Sequence, residues 1–337
     1  MKHKQWLFHS FALSCCLLAL AGCGDEVAET GIDDNTPVEL RVSPTVATLT
    51  RSAIQGGTQS GSAATVMQNV AVYAEGADYT DAKSNNYAVY NQSSGTWTNG
   101  GTPKIYLTNV AATIYAYYPT TTKYDATGIP VSLQATGTIA APADATVATA
   151  SSEVDCMWAN SMSGVTNKAN NNVTLTMKHA LSMVSFRVYK ENYSGTGSLT
   201  EIKLENAGGG GTTMSKGTNP KMNIKTGAIT EGTPVATTYT RTISGYTLGT
   251  VKDDAKKLGI LVLPIGSSIG SDKIVAKFKV DNADYSVNLT APVASSGLWK
   301  AGENYLYSVK LKGTELSITS VTVTAWNEVA GGDLVIQ

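Results

Sequence analysis

Histidine, cysteine and close pairs of acids carry most of the covalent and metal chemistry of proteins. Past its first 24 residues this chain holds one histidine, His179, and one cysteine, Cys156. A Ser/His/Asp triad, a Cys/His pair or a multi-histidine metal site would each depend on His179. That residue follows the alternating run Val173-Thr174-Leu175-Thr176-Met177-Lys178 and precedes Ala180-Leu181, a setting that reads as a structural imidazole. Cys156 sits in Val154-Asp155-Cys156-Met157-Trp158, where an apolar setting predicts a buried, inert thiol. The Gly208 to Gly211 run has no Gly-Lys-Ser/Thr after it and no strand-to-helix context, so it is no phosphate loop. Asp281-Asn282-Ala283-Asp284 lacks the glycine and distal glutamate of a calcium loop and reads as a turn. Asp253-Asp254 before Lys256-Lys257 reads as a solvated loop, and no carboxylate pair is nominated for glycoside hydrolysis. Tyr87, Tyr90, Trp97, Tyr115 and Tyr117 could stack on sugar rings, but in strands such residues more often pack across the sheet. The reading therefore assigns no catalytic residue, no metal and no cofactor, and expects no enzyme.

Cys23 belongs to a different chemistry. Lys2, His3 and Lys4 open the chain with positive charge, and Trp6 to Leu20 is an apolar run broken by His9, Ser10, Ser14 and two cysteines. At about 15 residues it is short for a membrane span, which needs roughly 20, and it reads as a signal peptide. The run ends Leu20-Ala21-Gly22-Cys23. Small residues directly before a cysteine form a lipobox, in which the thiol receives diacylglycerol and cleavage follows ahead of it. Residues 1–22 are thus expected to leave, with Cys23 becoming the lipidated first residue. Cys15 and Cys16 go with them, so no internal disulfide is available and the fold must rest on core packing and sheet hydrogen bonds.

The elements behind these residues read as strands. The chain of 337 residues is 42% hydrophobic and 15% charged with a net charge of -1, which allows two domains with their own cores and offers no basic field for nucleic acid. Threonine, serine, glycine, asparagine, valine and tyrosine dominate, a mixture that favours short strands joined by turns. Residues 24 to 37 read as a tether, and Val38, Leu40, Val42 and Val46 as one apolar row with Pro44 suiting an edge strand. Alternating segments recur between 66 and 118, with Ser93-Ser94-Gly95 and Asn99-Gly100-Gly101 as turns around Trp97 in a meander. Residues 120 to 150 give no clear strand pattern. A second set starts at Val173, Leu175 and Met177 and resumes at Val184, Phe186 and Val188 with the opposite parity, which implies a bulge or a new strand. Further strands are expected at 199–204, 239–243, 258–263, 274–280, 285–289 and 305–311. Many short strands without a helical stripe point to β-sandwiches, and residues 160 to 172 read as the linker between two.

The two ends carry the remaining signal. Only four arginines occur, at 41, 51, 187 and 241, and Arg51 follows the first strand in a polar loop open to a trypsin-like protease. A cut between Arg51 and Ser52 would remove the lipid together with the strand of 38 to 49, leaving unpaired sheet edges that demand a replacement. At the other end Leu316 and Ile318, then Val321, Val323 and Ala325 on the other parity, Trp326, and finally Leu334 and Ile336 form a strand-forming tail suited to β-strand addition. The tail also reads as the last strands of its own domain, with only its end passing between subunits.

The ordered set of Cys23, Thr50-Arg51-Ser52, Asp155-Cys156-Met157-Trp158-Ala159, Leu175-Thr176-Met177-Lys178-His179-Ala180-Leu181-Ser182, Ala301-Gly302-Glu303-Asn304-Tyr305-Leu306-Tyr307 and Val321-Thr322-Val323-Thr324-Ala325-Trp326 resembles the fimbrillin family, the type V pilins. The resemblance implies an all-β chain of two transthyretin-like β-sandwich domains in tandem, residues 52–170 and 171–337, behind a signal peptide (1–22) and a lipidated tether and pro-strand (23–51). It implies transport as a lipoprotein to the outer membrane, cleavage at Arg51 and Ser52 by an arginine-specific protease, and strand exchange through Val321, Val323, Trp326, Leu334 and Ile336. The expected partners are other pilin subunits, with a host protein or glycan as adhesion ligand, and the expected place is an extracellular fimbrium. A fimbrial tip adhesin and a glycan-binding surface lipoprotein that keeps its lipid are the rival expectations.

Overall fold

The computed structural model describes residues 36–46, 67–76, 86–102, 104–120, 122–140, 147–161, 166–266, 269–270, 273–289, 292 and 295–326. Cys23, Arg51, Ser52, Leu334 and Ile336 lie outside these residues. The described chain is built of short and medium strands, as its β-branched and aromatic content dictates, and strand numbers below follow chain order.

The first half forms a seven-stranded sheet in the order β2 (Arg41–Val46), β12 (Asn172–His179), β11 (Met157–Asn160), β7 (Thr113–Tyr118), β3 (Asn69–Glu75), β4 (Tyr87–Ser93) and β5 (Thr96–Asn99). The meander expected around Trp97 is present: β4 and β5 turn through Ser94 and Gly95, both at positive φ (49° and 83°). The sheet is rolled, so its two end strands, β2 and β5, come close without pairing. Its inner face carries Leu40, Val42, Val70, Val72, Tyr90, Ile114, Ala116, Leu175 and Met177, joined by Ile105 and Leu107. Leu107 belongs to β6 (Tyr106–Leu107), which pairs with β1 (Val38–Glu39) beside the rolled sheet.

The second half places two five-stranded sheets face to face. One runs β10 (Val147–Ala148), β18 (Lys257–Val262), β13 (Ser182–Glu191), β21 (Glu303–Lys312) and β22 (Glu315–Ala325). The other runs β20 (Ala283–Asn288), β19 (Ile274–Val280), β14 (Ser198–Asn206), β17 (Thr238–Thr247) and β9 (Thr136–Ala140). Between them Phe186, Tyr307, Phe278, Tyr239 and Ile260 share one core, in which the Phe186 and Phe278 rings meet edge-on at 5.3 Å. The parity change between β12 and β13 is a change of sheet: Ala180 and Leu181 carry the chain from the first sheet to the second. The expected linker at 160–172 therefore falls between two strands of the first sheet, β11 and β12, with the crossing ten residues later than the sequence suggests.

A third core joins the halves. Ala71, Tyr115 and Tyr117 on the outer face of the first sheet meet Met222 and Ile129 of a small sheet, β16 (Ile229–Thr230), β15 (Lys221–Met222) and β8 (Ile129–Pro130), and Met183 and Leu261 of the second half. The stretch from 120 to 150, unread from sequence, thus supplies β8, β9 and β10, one short strand to each of three sheets.

Candidate functional site

The first described strand is held by packing on one face and by hydrogen bonds mainly on one edge. β2 runs parallel to β12 in register from Arg41↔Asn172 to Val46↔Met177. Leu40 and Val42 are 0% and 3% exposed, and Pro44 is buried with them. Burying each such aliphatic side chain stabilises by about 1.5–3 kcal/mol. Pro44, which has no N–H to donate, is tolerated because β2 is an end strand, as the sequence implied. Further ties fix the start of the strand. Leu40 N donates to Ile105 O at 2.9 Å, Asn171 Nδ2 to Glu39 O at 2.8 Å, and Tyr90 Oη to Leu40 O at 2.8 Å. Burial, with Glu39 beside it, pushes the Tyr90 phenol above its ordinary value, so it remains a neutral donor at physiological pH. The far edge of β2 faces β5 across a cleft of ≈ 600 Å³ whose lining includes Pro44, Tyr90, Trp97, Asn99, Lys104 and Asn172.

The last described strand is held quite differently. β22 pairs antiparallel with β21 from Lys312↔Glu315 to Glu303↔Ala325, with Tyr307↔Val321 and Tyr305↔Val323. The parity switch read between Ile318 and Val321 is a bulge: the register shifts between Ser308 and Val309, leaving Thr319 as the extra residue. Val321 and Val323 are half-buried against the second core and bonded within their own chain. Trp326 then turns into the third core, 2% exposed, with its backbone N donating to Gly302 O at 2.6 Å. Its ring lies flat on His179, centroids 4.0 Å apart and planes 5° from parallel.

His179 is itself fixed by Asp155, Nδ1 to Oδ2 at 2.6 Å, with both side chains almost fully buried. Burial raises the Asp155 carboxyl above the usual range against the opposing pull of His179. Gly302, at φ +73°, brings its N–H to Leu181 O at 2.8 Å and lies against His179 O. Ser182 Oγ donates toward the carbonyls of Trp299 and Lys300. The motifs scattered through the sequence around 155, 179, 302 and 326 therefore meet at one joint between the halves. His179 acts there as the structural imidazole expected of it. Cys156, 1% exposed beside this joint, is the buried thiol the sequence implied, with burial pushing its pKa far up.

Model and sequence converge on a family. The fimbrillin-like family model matches residues 50–326. The chain belongs to the fimbrillin-like family. No curated protein matches it. Among solved structures this fimbrillin-like chain is similar to a candidate cell adhesion protein from Bacteroides uniformis, with TM-score 0.57 and 19% identity over 86% of this chain and 99% of that one. A second candidate cell adhesion protein, from Bacteroides ovatus, gives TM-score 0.54 and 17% identity over 87% and 98%. The tip fimbrial protein Mfa3 from Porphyromonas gingivalis, with a C-terminal truncation, gives 0.45 and 10% over 86% and 98%. At these identities the likeness to the two adhesion proteins is one of fold.

Sequence reasoning missed one buried pair in this fimbrillin-like fold. Arg241 on β17 forms an ion pair with Glu153, at 0% and 2% side-chain exposure, and Glu153 Oε1 also accepts from Leu261 N at 3.0 Å. The two residues are 88 positions apart, and no local pattern links them. Of the five aromatics considered for sugar stacking, Tyr90, Tyr115 and Tyr117 are buried, and Tyr87 and Trp97 are half-buried.

Proposed function

We propose that this protein is a structural subunit of a cell-surface fimbria, exported as a lipoprotein through Cys23, cleaved between Arg51 and Ser52 by an arginine-specific protease, and polymerised by β-strand exchange. In this reading the domains are two transthyretin-like β-sandwiches in tandem, and the subunit moves from the outer membrane into an extracellular fimbrium of sister pilins. The observation that carries it is β2: Leu40 and Val42 complete the first core, yet their strand precedes Arg51 and is bonded to the sheet along one edge. Removing it would uncover Leu175, Met177, Ile105 and Leu107 and free the edge of β12. An extended apolar segment from a neighbour would refill that slot. Because Val321 and Val323 pair within their own chain and Trp326 is locked in the joint, the donated part is the tail beyond Trp326, with Leu334 and Ile336 as its apolar row.

The test is to trim folded precursor with an arginine-specific protease, sequence the new amino terminus and follow assembly by size. A start at Ser52 followed by polymers is expected, and Leu334→Asp with Ile336→Asp stops growth without unfolding the trimmed subunit. Trimmed protein that stays monomeric and fully folded overturns the proposal. Growth on a partner fibre despite the double substitution would indicate a tip adhesin, and surface-extracted protein still acylated at Cys23 a retained, glycan-binding lipoprotein.

A further inference from the structure

The cleft between β2 and β5 is built in two tiers. Alternation along the chain sends Leu40, Pro44 and Tyr90 inward, where they are buried, and Trp97 lies half-buried against the same core. It sends Arg41 and Ser43 of β2 and Thr96 and Thr98 of β5 outward, all exposed. The floor is therefore apolar and aromatic, and the lip polar. The floor is also fixed in advance: Asn99 Nδ2 donates to Tyr90 Oη at 3.2 Å, and Tyr90 Oη donates to Leu40 O at 2.8 Å, a chain of hydrogen bonds from one wall to the other. Charge at the lip is unbalanced. Lys104 pairs with Glu39 at 2.9 Å, whereas Arg41 makes no ion pair with any described residue, unlike Arg187 with Asp253 and Arg241 with Glu153. Its guanidinium is the one uncompensated charge among the lining residues, and a planar fork of donors of this kind is matched by a carboxylate.

The width of the gap decides what can enter it. A polypeptide strand inserted between β2 and β5 would need them roughly 9.6 Å apart, twice the spacing of paired strands, but Cα atoms of the two approach within 8 Å. A sugar ring is smaller and carries both kinds of surface, a C–H face for an indole and a rim of hydroxyls for threonine, serine and unpaired backbone groups. The cleft, at ≈ 600 Å³, falls within the roughly 300–1,000 Å³ of small-molecule sites. We infer that this cleft is a binding site for a carboxylated saccharide, a uronic or sialic acid, with the carboxylate on Arg41 and a ring against Trp97. The inference goes beyond the proposed assembly and does not rest on it. Because β2 forms one wall, the site belongs to the chain in which β2 is seated. A bound sugar that touches both lips ties β2 to β5, where no ladder does.

The experiment titrates the folded full chain with glucuronic acid and with N-acetylneuraminic acid, each against an uncharged counterpart, glucose and the methyl ester of N-acetylneuraminic acid. Affinity is read by saturation-transfer NMR and the place of binding by amide hydrogen exchange. One acid or both should bind about tenfold or more tightly than the counterpart and raise protection in β2 and β5 together. Arg41→Gln, a change at an exposed side chain, should abolish that preference without moving the thermal midpoint. Trp97→Ala should abolish binding, and Trp97→Tyr, which keeps an aromatic ring against the core, should restore part of it. Equal affinity for acids and counterparts, a preference that survives Arg41→Gln, or protection appearing away from β2 and β5 each overturns the inference. So does stronger protection of these strands by an extended valine- and threonine-rich peptide, which would make the cleft a strand-insertion site. Trimmed protein that fails to polymerise leaves this inference standing, and a failure of sugar binding leaves the assembly proposal standing.

Discussion

The two halves close their cores in opposite ways. The second half ends in a local closing strand: β21 and β22 are neighbours in sequence, and their antiparallel register runs the full length of both strands, although β9 and β10 join the opposite edges of its sheets from about 100 residues ahead. The first half takes its closing strand from far away: β2 pairs with a strand about 130 residues on, in parallel, where hydrogen bonds are slanted and slightly weaker per residue. A strand tied to its sheet by sequence proximity stays when the chain is cut elsewhere. One tied by packing, a single ladder and a few bonds at its start is the one that the proposed cut would release, so the expected difference between the halves is in which core opens first.

The sharpest attempt to break this contrast is Leu40→Asp, which leaves a carboxylate in an apolar core. We expect a loss above about 4 kcal/mol in the first half. Hydrogen exchange would then show β3, β7 and β12 losing protection while β13 and β21 keep theirs, and equal loosening of both halves would refute the contrast. Next in size is Glu153→Ala, which strands a buried guanidinium and should cost about 3–5 kcal/mol in thermal unfolding, with its greatest effect in β9 and β17. Replacing both partners, Glu153→Gln with Arg241→Met, should cost much less. Trp326→Ala should remove about 3–5 kcal/mol by opening the joint, and protection should fall on both sides of it, at β12 and β21 together. The smallest effect belongs to Asp281, whose carboxylate accepts from Gly197 N at 2.8 Å, Ser198 N at 2.9 Å and Tyr193 Oη at 2.9 Å. These bonds, led by the one from Gly197, hold its pKa below the ordinary value. The stabilisation is therefore complete above the unfolded carboxylate pKa and lost as pH falls through the lowered folded one. Urea midpoints of wild type and Asp281→Asn should differ at neutral pH and converge in acid, and a constant gap would remove the carboxylate from the account.

Local rules made much of this legible. Alternation placed β12, β14, β17, β19 and β21 within a few residues, and the Asp281-Asn282 turn appears with both residues at positive φ, 50° and 66°. Pro44 announced an edge, and the parity switch after Met177 implied a bulge or a new strand, of which the structure shows a new strand in another sheet; the switch after Ile318 was visible without its cause, which is a bulge. What stayed hidden was long-range pairing. β9 and β10 are short segments that add in parallel to strands about 100 residues away, which gives them no hairpin partner to betray them. For the same reason the final passage into the second half was read about ten residues early: the polar run at 160–172 looked like a boundary, although Asn172 to His179 returns to the first sheet. The joint of Asp155, His179, Gly302 and Trp326 was visible as separate motifs and silent as a place, because nothing local tells a histidine which indole will lie on it.

The parallel run of β2 along β12 also has a mechanical meaning. β2 is entered at Arg41, opposite Asn172, whereas β12 is anchored at its other end, where His179 holds Trp326 and Asp155. Tension applied through residues ahead of Val38 would therefore slide one strand lengthwise against the other and strain all six residue pairs at once, instead of peeling them in turn. Held to the cell through that segment, as proposed, the molecule would withstand flow while the connection lasts, and the proposed cut would release it without any need for pulling.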